Sequence, residues 1–193
     1  MNYEDYLKDQ VNDGLGCDYN KMEKYCNDIV KRLNITSQQK ILDIGCREFH
    51  TFDYFKSKFD LEIIGGDIGL PGHKYARELS RPSIYVDAHD MSIFNTGYFD
   101  VLLAIHSLEH MFDLDKVIKE AARIVKSGGM FYIAVPFPAH NLNKGHYQDI
   151  LDENEFEARF KPYFKTIEMI STIPGDGRNI REESELFLIL ERK

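Results

Sequence analysis

Lys40-Ile41-Leu42-Asp43-Ile44-Gly45-Cys46-Arg47-Glu48-Phe49-His50 is the stretch from which the fold can be read. A short apolar burst carrying one acid runs into a single glycine, then a polar turn, then an aromatic-rich segment. That pattern predicts a buried strand ending at a functional loop. Everything downstream alternates strand and helix, which predicts a parallel sheet with helices on its faces. In such sheets ligands bind outside the carboxyl ends of the strands, and the first strand-to-helix turn is the usual nucleotide contact.

Working outward, the apolar positions Tyr19, Met22, Cys26, Ile29, Val30 and Leu33 recur at helical spacing, with Asn34 as the stop. Residues 1–18 are polar, carry Gly14 and Gly16, and read as a loose lead-in or a flap. Residues 1–39 are therefore expected to pack on a single globular unit spanning 40–193. After the strand Lys40–Ile44, a helix is predicted over Phe52–Phe59 and a strand over Leu61–Gly66 closed by Asp67. A turn is predicted at Gly69–Gly72, then a strand over Ser83–Val86 closed by Asp87. Phe99–Ile105 is nearly all apolar, as for a strand buried on both faces.

A helix capped by Asp113 carries Leu114, Val117, Ile118, Ala121, Ala122 and Val125 on one face and is predicted to stop at Ser127-Gly128-Gly129. The strand Met130–Val135 follows, and a further helix starts at the capping-box pair Asp152 and Glu155. Strands over Phe164–Ile173 and Glu185–Arg192, joined without a helix through the turn-rich Pro174–Gly177, predict an antiparallel finish.

The bulk composition narrows the function classes. At 193 residues the chain can bury a proper core without staples. Three cysteines (Cys17, Cys26 and Cys46) lack metal-ligand spacing and fit a reducing compartment. The acidic, polar start at Met1–Tyr6 predicts neither a secretory signal nor a transit peptide, and no apolar run approaches membrane-spanning length, so the expected location is cytoplasmic. A net charge of −8 argues against broad electrostatic capture of nucleic acid or an anionic membrane.

Three acids, Asp43, Asp67 and Asp87, fall at the carboxyl ends of successive predicted strands. Asp67 lies 22 positions after Gly45, near the offset at which an acid meets a ribose diol in dinucleotide folds. A carboxylate accepts two hydrogen bonds at once, which suits such a diol. Three acids in register point to a nucleoside-bearing cofactor.

The collinear set Ile41–Cys46, Ile64–Asp67, Val86–Ala88, Phe99–His110, Ile124–Gly129 and Ile133–Pro136 resembles the class I S-adenosylmethionine-dependent methyltransferases. Within them it is most similar to the small-molecule group that includes ubiquinone-biosynthesis O-methyltransferases. The resemblance covers residues 40–193 and implies an α/β, Rossmann-like, doubly wound seven-stranded sheet, mostly parallel, with an antiparallel last strand. It implies S-adenosyl-L-methionine as cofactor, with S-adenosyl-L-homocysteine as product. Gly45 would let the backbone approach the methionine moiety, with Asp43 near its amino group. Asp67, with Ile68 beside it, would take the ribose hydroxyls, and Asp87 the adenine amino group with Ala88 beside the ring. Ile105 and His106 would follow the fourth strand, beside the cofactor and facing the acceptor.

The turn departs from the family pattern, because Arg47 and Phe49 stand where further glycines are usual. Arg47 either pairs with the cofactor carboxylate, as a guanidinium fork suits, or points to solvent. His106 is the candidate base, needed only if the acceptor is a hydroxyl or a protonated amine; a binding or structural role is its alternative. No residue is assigned to a metal. Some relatives hold a divalent ion with a Glu-x-x-Glu-His arrangement and a later histidine, for which this chain offers His106, Glu109, His110, His140 and His146. The expected activity is methyl transfer to a small-molecule acceptor at a hydroxyl oxygen, with oligomers possible. The alternatives are a cofactor-binding partner protein with little turnover, or a methyltransferase of RNA or protein. Closure of the pocket is expected from residues 1–20, from the loop around 137–148, or from a partner.

Overall fold

The computed structural model describes residues 2–12, 19–141, 145–174 and 184–193. Its centre is a seven-stranded sheet in the order β3-β2-β1-β4-β5-β7-β6. The strands are β1 (Lys40–Ile44), β2 (Glu62–Asp67), β3 (Ser83–Tyr85), β4 (Phe99–Ile105), β5 (Val125–Pro136), β6 (Phe164–Thr172) and β7 (Glu185–Arg192). Strands β1 to β5 pair in parallel, while β7 runs antiparallel between β5 and β6. The sheet is thus Rossmann-like, with the antiparallel insertion expected above.

From β1 the chain winds outward through β2 and β3, then returns to the other side of β1 as β4. The reversal between β1 and β4 opens a crevice at their carboxyl ends. β1 and β4 are almost wholly buried because helices cover both faces. One apolar layer gathers Leu42, Leu102, Phe131, Leu188 and the inner face of α5 (Leu114–Ile124). The other gathers Ile41, Val101, Leu103 and Tyr132 with α2 (Tyr19–Leu33) and α3 (His50–Lys58).

Three local expectations are corrected. Residues 3–11 are not a loose lead-in but the helix α1 (Tyr3–Val11), whose first turn is capped by the Asn2 side chain on the Asp5 N–H. The stretch Gly69–Gly72 is not a turn: Gly69 caps α4 (Leu70–Glu78), and Pro71 sits in its first turn, where a missing N–H costs nothing. Ser127-Gly128-Gly129 does not stop α5, which ends at Ile124; it lies inside β5, where Val125 pairs with Phe99 and Met130 with Val101 across a bulge. The helix α6 (Glu153–Ala158) starts as expected, with Asp152 accepting from the Asn154 and Glu155 N–H groups. The expected turn at Pro174–Gly177 falls mostly outside the described residues.

Candidate functional site

The crevice between β1 and β4 holds a pocket lined by Gly45 and Arg47, by Asp67 and Ile68, by Asp87 and Ala88, and by His106 and Ser107. Its floor is the turn after β1. Gly45 has φ +70, and a Cβ there would lie 2.4 Å from Ser107 Cβ, so only glycine lets the tips of β1 and β4 approach this closely.

The unusual residues of that turn keep its glycine-like shape. Arg47 and Phe49 have φ of 45 and 57, in the left-handed region, at a cost of about 1–2 kcal/mol each. Phe49 offsets this by complete burial of its ring, a contribution of about 1.5–3 kcal/mol. Room for that ring comes from β2, because a Cβ on Gly65 would lie 2.7 Å from Phe49 Cγ. Space has been moved from the turn to the neighbouring strand.

The two pocket-lining acids are anchored differently. Asp67 accepts the Arg47 N–H on Oδ2 at 2.8 Å and the Gly69 N–H on Oδ1 at 2.6 Å. Two backbone donors fix its carboxylate, and an ionised carboxylate has about four lone-pair sites, so capacity for a diol remains. Asp87 takes the Tyr3 hydroxyl on Oδ2, and the His89 N–H and Nδ1 on Oδ1 at 2.9 and 2.6 Å. His89 Nε2 accepts the Asp113 N–H at 3.0 Å, so Nδ1 carries the proton given to Asp87. Burial pushes the Asp87 carboxyl up, but the His89 and Tyr3 hydrogen bonds outweigh it and hold it below its ordinary value.

Asp43 and Ile105 lie behind this lining. Asp43 is buried and accepts the Thr51 hydroxyl at 2.6 Å. Burial pushes its carboxyl up to about 7; the Thr51 hydrogen bond opposes this and the charge of Asp67 adds to it.

α1 crosses the mouth, placing Tyr6 and Gln10 in the lining. Tyr3 and Tyr6 stack at 5.5 Å and both pack on His89 and Phe112. Tyr6 meets Tyr147 edge-on at 5.0 Å, and the Tyr147 hydroxyl donates to Asp9 at 3.2 Å. The lead-in and the loop after β5, the two segments expected to close the pocket, therefore meet each other above it.

Beyond the pocket floor, His106 has φ 49, an αL strain at a residue facing the cavity. Its Nε2 lies 2.9 Å from both the Tyr25 hydroxyl and Glu185 Oε1, and its Nδ1 lies 3.6 Å from Glu109 Oε1. The histidines considered above as metal ligands divide. Glu109, His110 and His146 bring ligand atoms within 4.8 Å of one another. His110 Nδ1 donates to the Gly145 carbonyl at 2.7 Å, which turns Nε2 toward Glu109, 3.7 Å away. Burial lowers the basicity of His146, against a hydrogen bond with the His140 backbone. His106 is outside the group but touches its Glu109, and the exposed His140 side chain is not in the group.

Of the residues singled out from sequence, Gly45, Arg47, Asp67, Ile68, Asp87, Ala88 and His106 converge on one pocket. Sequence reading missed His89, Ser107, Tyr6, Tyr25 and Glu185. Glu185 opens a recognisable strand as an acid beside an apolar run, which was the one available signal. The donor set suits a nucleoside carrying an amino acid: two carboxylates one strand apart and a glycine wall. The Ser107 hydroxyl in that wall is buried and has no hydrogen-bond partner among the described residues.

A family profile described as "Methyltransferase domain" matches residues 42–133. The chain is 28% identical over 172 residues to ajmaline N-methyltransferase of Rauvolfia serpentina, covering 78% of this chain and 59% of that protein. It is 33% identical over 129 residues to the chloroplastic tocopherol O-methyltransferase of Arabidopsis thaliana, covering 60% and 36%. The chain thus spans less than two thirds of the length of these curated relatives. A chain in the solved complex of the Haloferax volcanii Trm112 methyltransferase activator with a methyltransferase superposes with a TM-score of 0.75 at 16% identity, covering 90% of each. Relatives that methylate nitrogen and relatives that methylate oxygen both match, so the narrower likeness to ubiquinone-biosynthesis O-methyltransferases is not supported. Family profile and sheet order thus make this chain similar in fold to the class I S-adenosylmethionine-dependent methyltransferases.

Proposed function

We propose that this chain transfers the methyl group of S-adenosylmethionine to a small-molecule acceptor, at a hydroxyl oxygen. The observation carrying the choice of oxygen is His106, an imidazole at the pocket wall flanked by Glu109 and Glu185. When bound, the cofactor supplies an electrophilic methyl on a sulfonium, so the protein's tasks are to orient the acceptor and take its proton. Asp67 would hold the ribose hydroxyls, Asp87 the adenine amino group, Gly45 the close backbone approach, and Arg47 the cofactor carboxylate. The net charge of −8 favours a small acceptor over nucleic acid.

The test is a panel of alcohols, phenols and amines incubated with cofactor carrying a labelled methyl. Labelled ethers from wild type, with at least 100-fold less from His106→Ala, are expected. Label in amines alone would replace oxygen with nitrogen, a reading that the ajmaline N-methyltransferase likeness keeps open.

The role given to Arg47 has its own test. Arg47→Gly removes a side chain from a left-handed position, so thermal stability should hold or rise by up to about 1 kcal/mol. Loss of a charge-assisted pair should at the same time weaken cofactor binding about 10- to 100-fold. Unchanged affinity by titration calorimetry would assign Arg47 to solvent.

A further inference from the structure

We propose that His89 is the positioning residue of the adenine subsite: it fills the acceptor sites of one Asp87 oxygen and so presents the other, Oδ2, to the cofactor's amino group. The inference rests on the assignment of Asp87 to that amino group.

The chain just past β3 builds the clamp. The Asp90 N–H donates to the Asp87 carbonyl at 2.9 Å, which closes the backbone into a tight turn. His89, inside that turn, then donates twice to the same oxygen. Its backbone N–H meets Asp87 Oδ1 at 2.9 Å, and its ring Nδ1 meets it at 2.6 Å. The far side of the ring is fixed from 24 positions away, where the Asp113 N–H at the start of α5 lies 3.0 Å from His89 Nε2. A backbone N–H can only donate, so Nε2 holds a lone pair and the hydrogen of the neutral ring sits on Nδ1. The ring is buried, and Tyr3 and Tyr6 of α1 meet it edge-on at 5.3 and 5.4 Å. Packing and hydrogen bonding therefore agree on one orientation.

The donors around Asp87 show what is left for the cofactor. An ionised carboxylate offers about four lone-pair sites. His89 takes two on Oδ1, and the Tyr3 hydroxyl takes one on Oδ2. The remaining site is on Oδ2, in a residue that lines the pocket. Without the ring donor only the backbone N–H would hold Oδ1, and the carboxylate could turn about its terminal torsion, whose wells are broad.

A purely structural His89 would fill the space between α1 and α5 and satisfy the Asp113 N–H, with no effect on which purine is bound. Two substitutions separate the ring's two contacts. His89→Asn keeps an amide N–H near the Nδ1 position and drops the acceptor for Asp113. His89→Gln keeps an amide oxygen near the Nε2 position, able to accept from Asp113, and drops the ring donor to Asp87.

The experiment is titration calorimetry of the full chain with S-adenosylhomocysteine and with its 6-deamino analogue, in which hydrogen replaces the adenine amino group. Wild type should prefer S-adenosylhomocysteine about 10- to 100-fold, the contribution of a hydrogen bond to a charged group. His89→Gln should reduce that preference to about threefold or less, and His89→Asn should keep most of it. In parallel, 15N-histidine NMR of wild type saturated with S-adenosylhomocysteine should show His89 protonated at Nδ1, a reading that needs no variant to fold. Equal weakening of both ligands by His89→Gln, with the preference intact, makes His89 structural and overturns the inference. A ring protonated at Nε2 in wild type overturns it as well, and so does loss of the preference in both variants. Equal binding of the two ligands by wild type overturns the assignment of Asp87 to the amino group, and the role of His89 with it. Binding of neither ligand by wild type overturns the cofactor itself.

Discussion

Gly45→Ala should weaken cofactor binding at least 100-fold and destabilise the protein by about 2–5 kcal/mol, the sum of an αL penalty and an overpacked contact. The added methyl would sit 2.4 Å from Ser107 Cβ and 3.7 Å from Ser107 Cα. A flexible side chain could swing aside, but Ser107 Cβ is fixed to the backbone entering the 3-10 turn Leu108–His110. The tips of β1 and β4 would have to part, at the point where the sheet reverses and the pocket has its floor. Thermal unfolding should report the stability loss, and titration calorimetry an affinity for S-adenosylmethionine at least 100-fold lower. A folded Gly45→Ala protein with wild-type affinity would mean that the cofactor does not rest on this turn. The same substitution at Gly69, where the nearest atoms are the Asp67 carboxylate at 3.1 Å and the Gln10 carbonyl at 3.8 Å, is a milder comparison.

What was legible in sequence follows from how local each signal is. β1, β4, β7 and α2 are read with their observed ends, because each is an apolar run or a helical stripe, with Gly45 closing β1 and Asn34 closing α2. α4 was hidden because Pro71-Gly72 is the strongest turn signal in its neighbourhood, and the dipeptide cannot say that Gly69 ahead of it is a cap. α1 was hidden because it is polar, with only Tyr6 fully buried. Asp67 and Asp87 could be placed because an acid closing a strand has a fixed position relative to the sheet edge. Their supports could not. His89 takes the Asp113 N–H 24 positions away, and Tyr25 meets Glu185 across 160 positions, so neither contact leaves a periodic or spacing signature. The turn at Arg47 and Phe49 shows the same limit. In sequence it reads as a family motif losing its glycines; in three dimensions the left-handed backbone is kept and Gly65, on another strand, gives the space.

Asp43→Asn should make the empty protein more stable at pH 8 and a poorer cofactor binder. The carboxyl of Asp43 stands at about 7 in the fold, against about 3.9 in an unfolded chain. A folded value above the unfolded one means that the native state holds the proton more tightly. The stabilising contribution is therefore complete below about pH 4 and is lost as pH rises through about 7. Roughly three pH units of difference correspond to about 4 kcal/mol at most. Asparagine has nearly the same shape, can still accept the Thr51 hydroxyl, and never ionises, so it escapes that loss. Near pH 3.5 the two proteins should melt within a degree or two. At pH 8 the variant should melt about 8–16 °C higher, at 2–4 °C per kcal/mol for a chain of this length. Binding should move the other way. If Asp43 meets the cofactor's ammonium group, wild-type affinity should fall as pH drops below about 7, because the proton must leave before the ion pair forms, and the Asp43→Asn protein should lack both the affinity and its pH dependence. Wild-type affinity in the variant, with the stability gain intact, would make Asp43 a strut behind the pocket that acts on the turn through Thr51 alone.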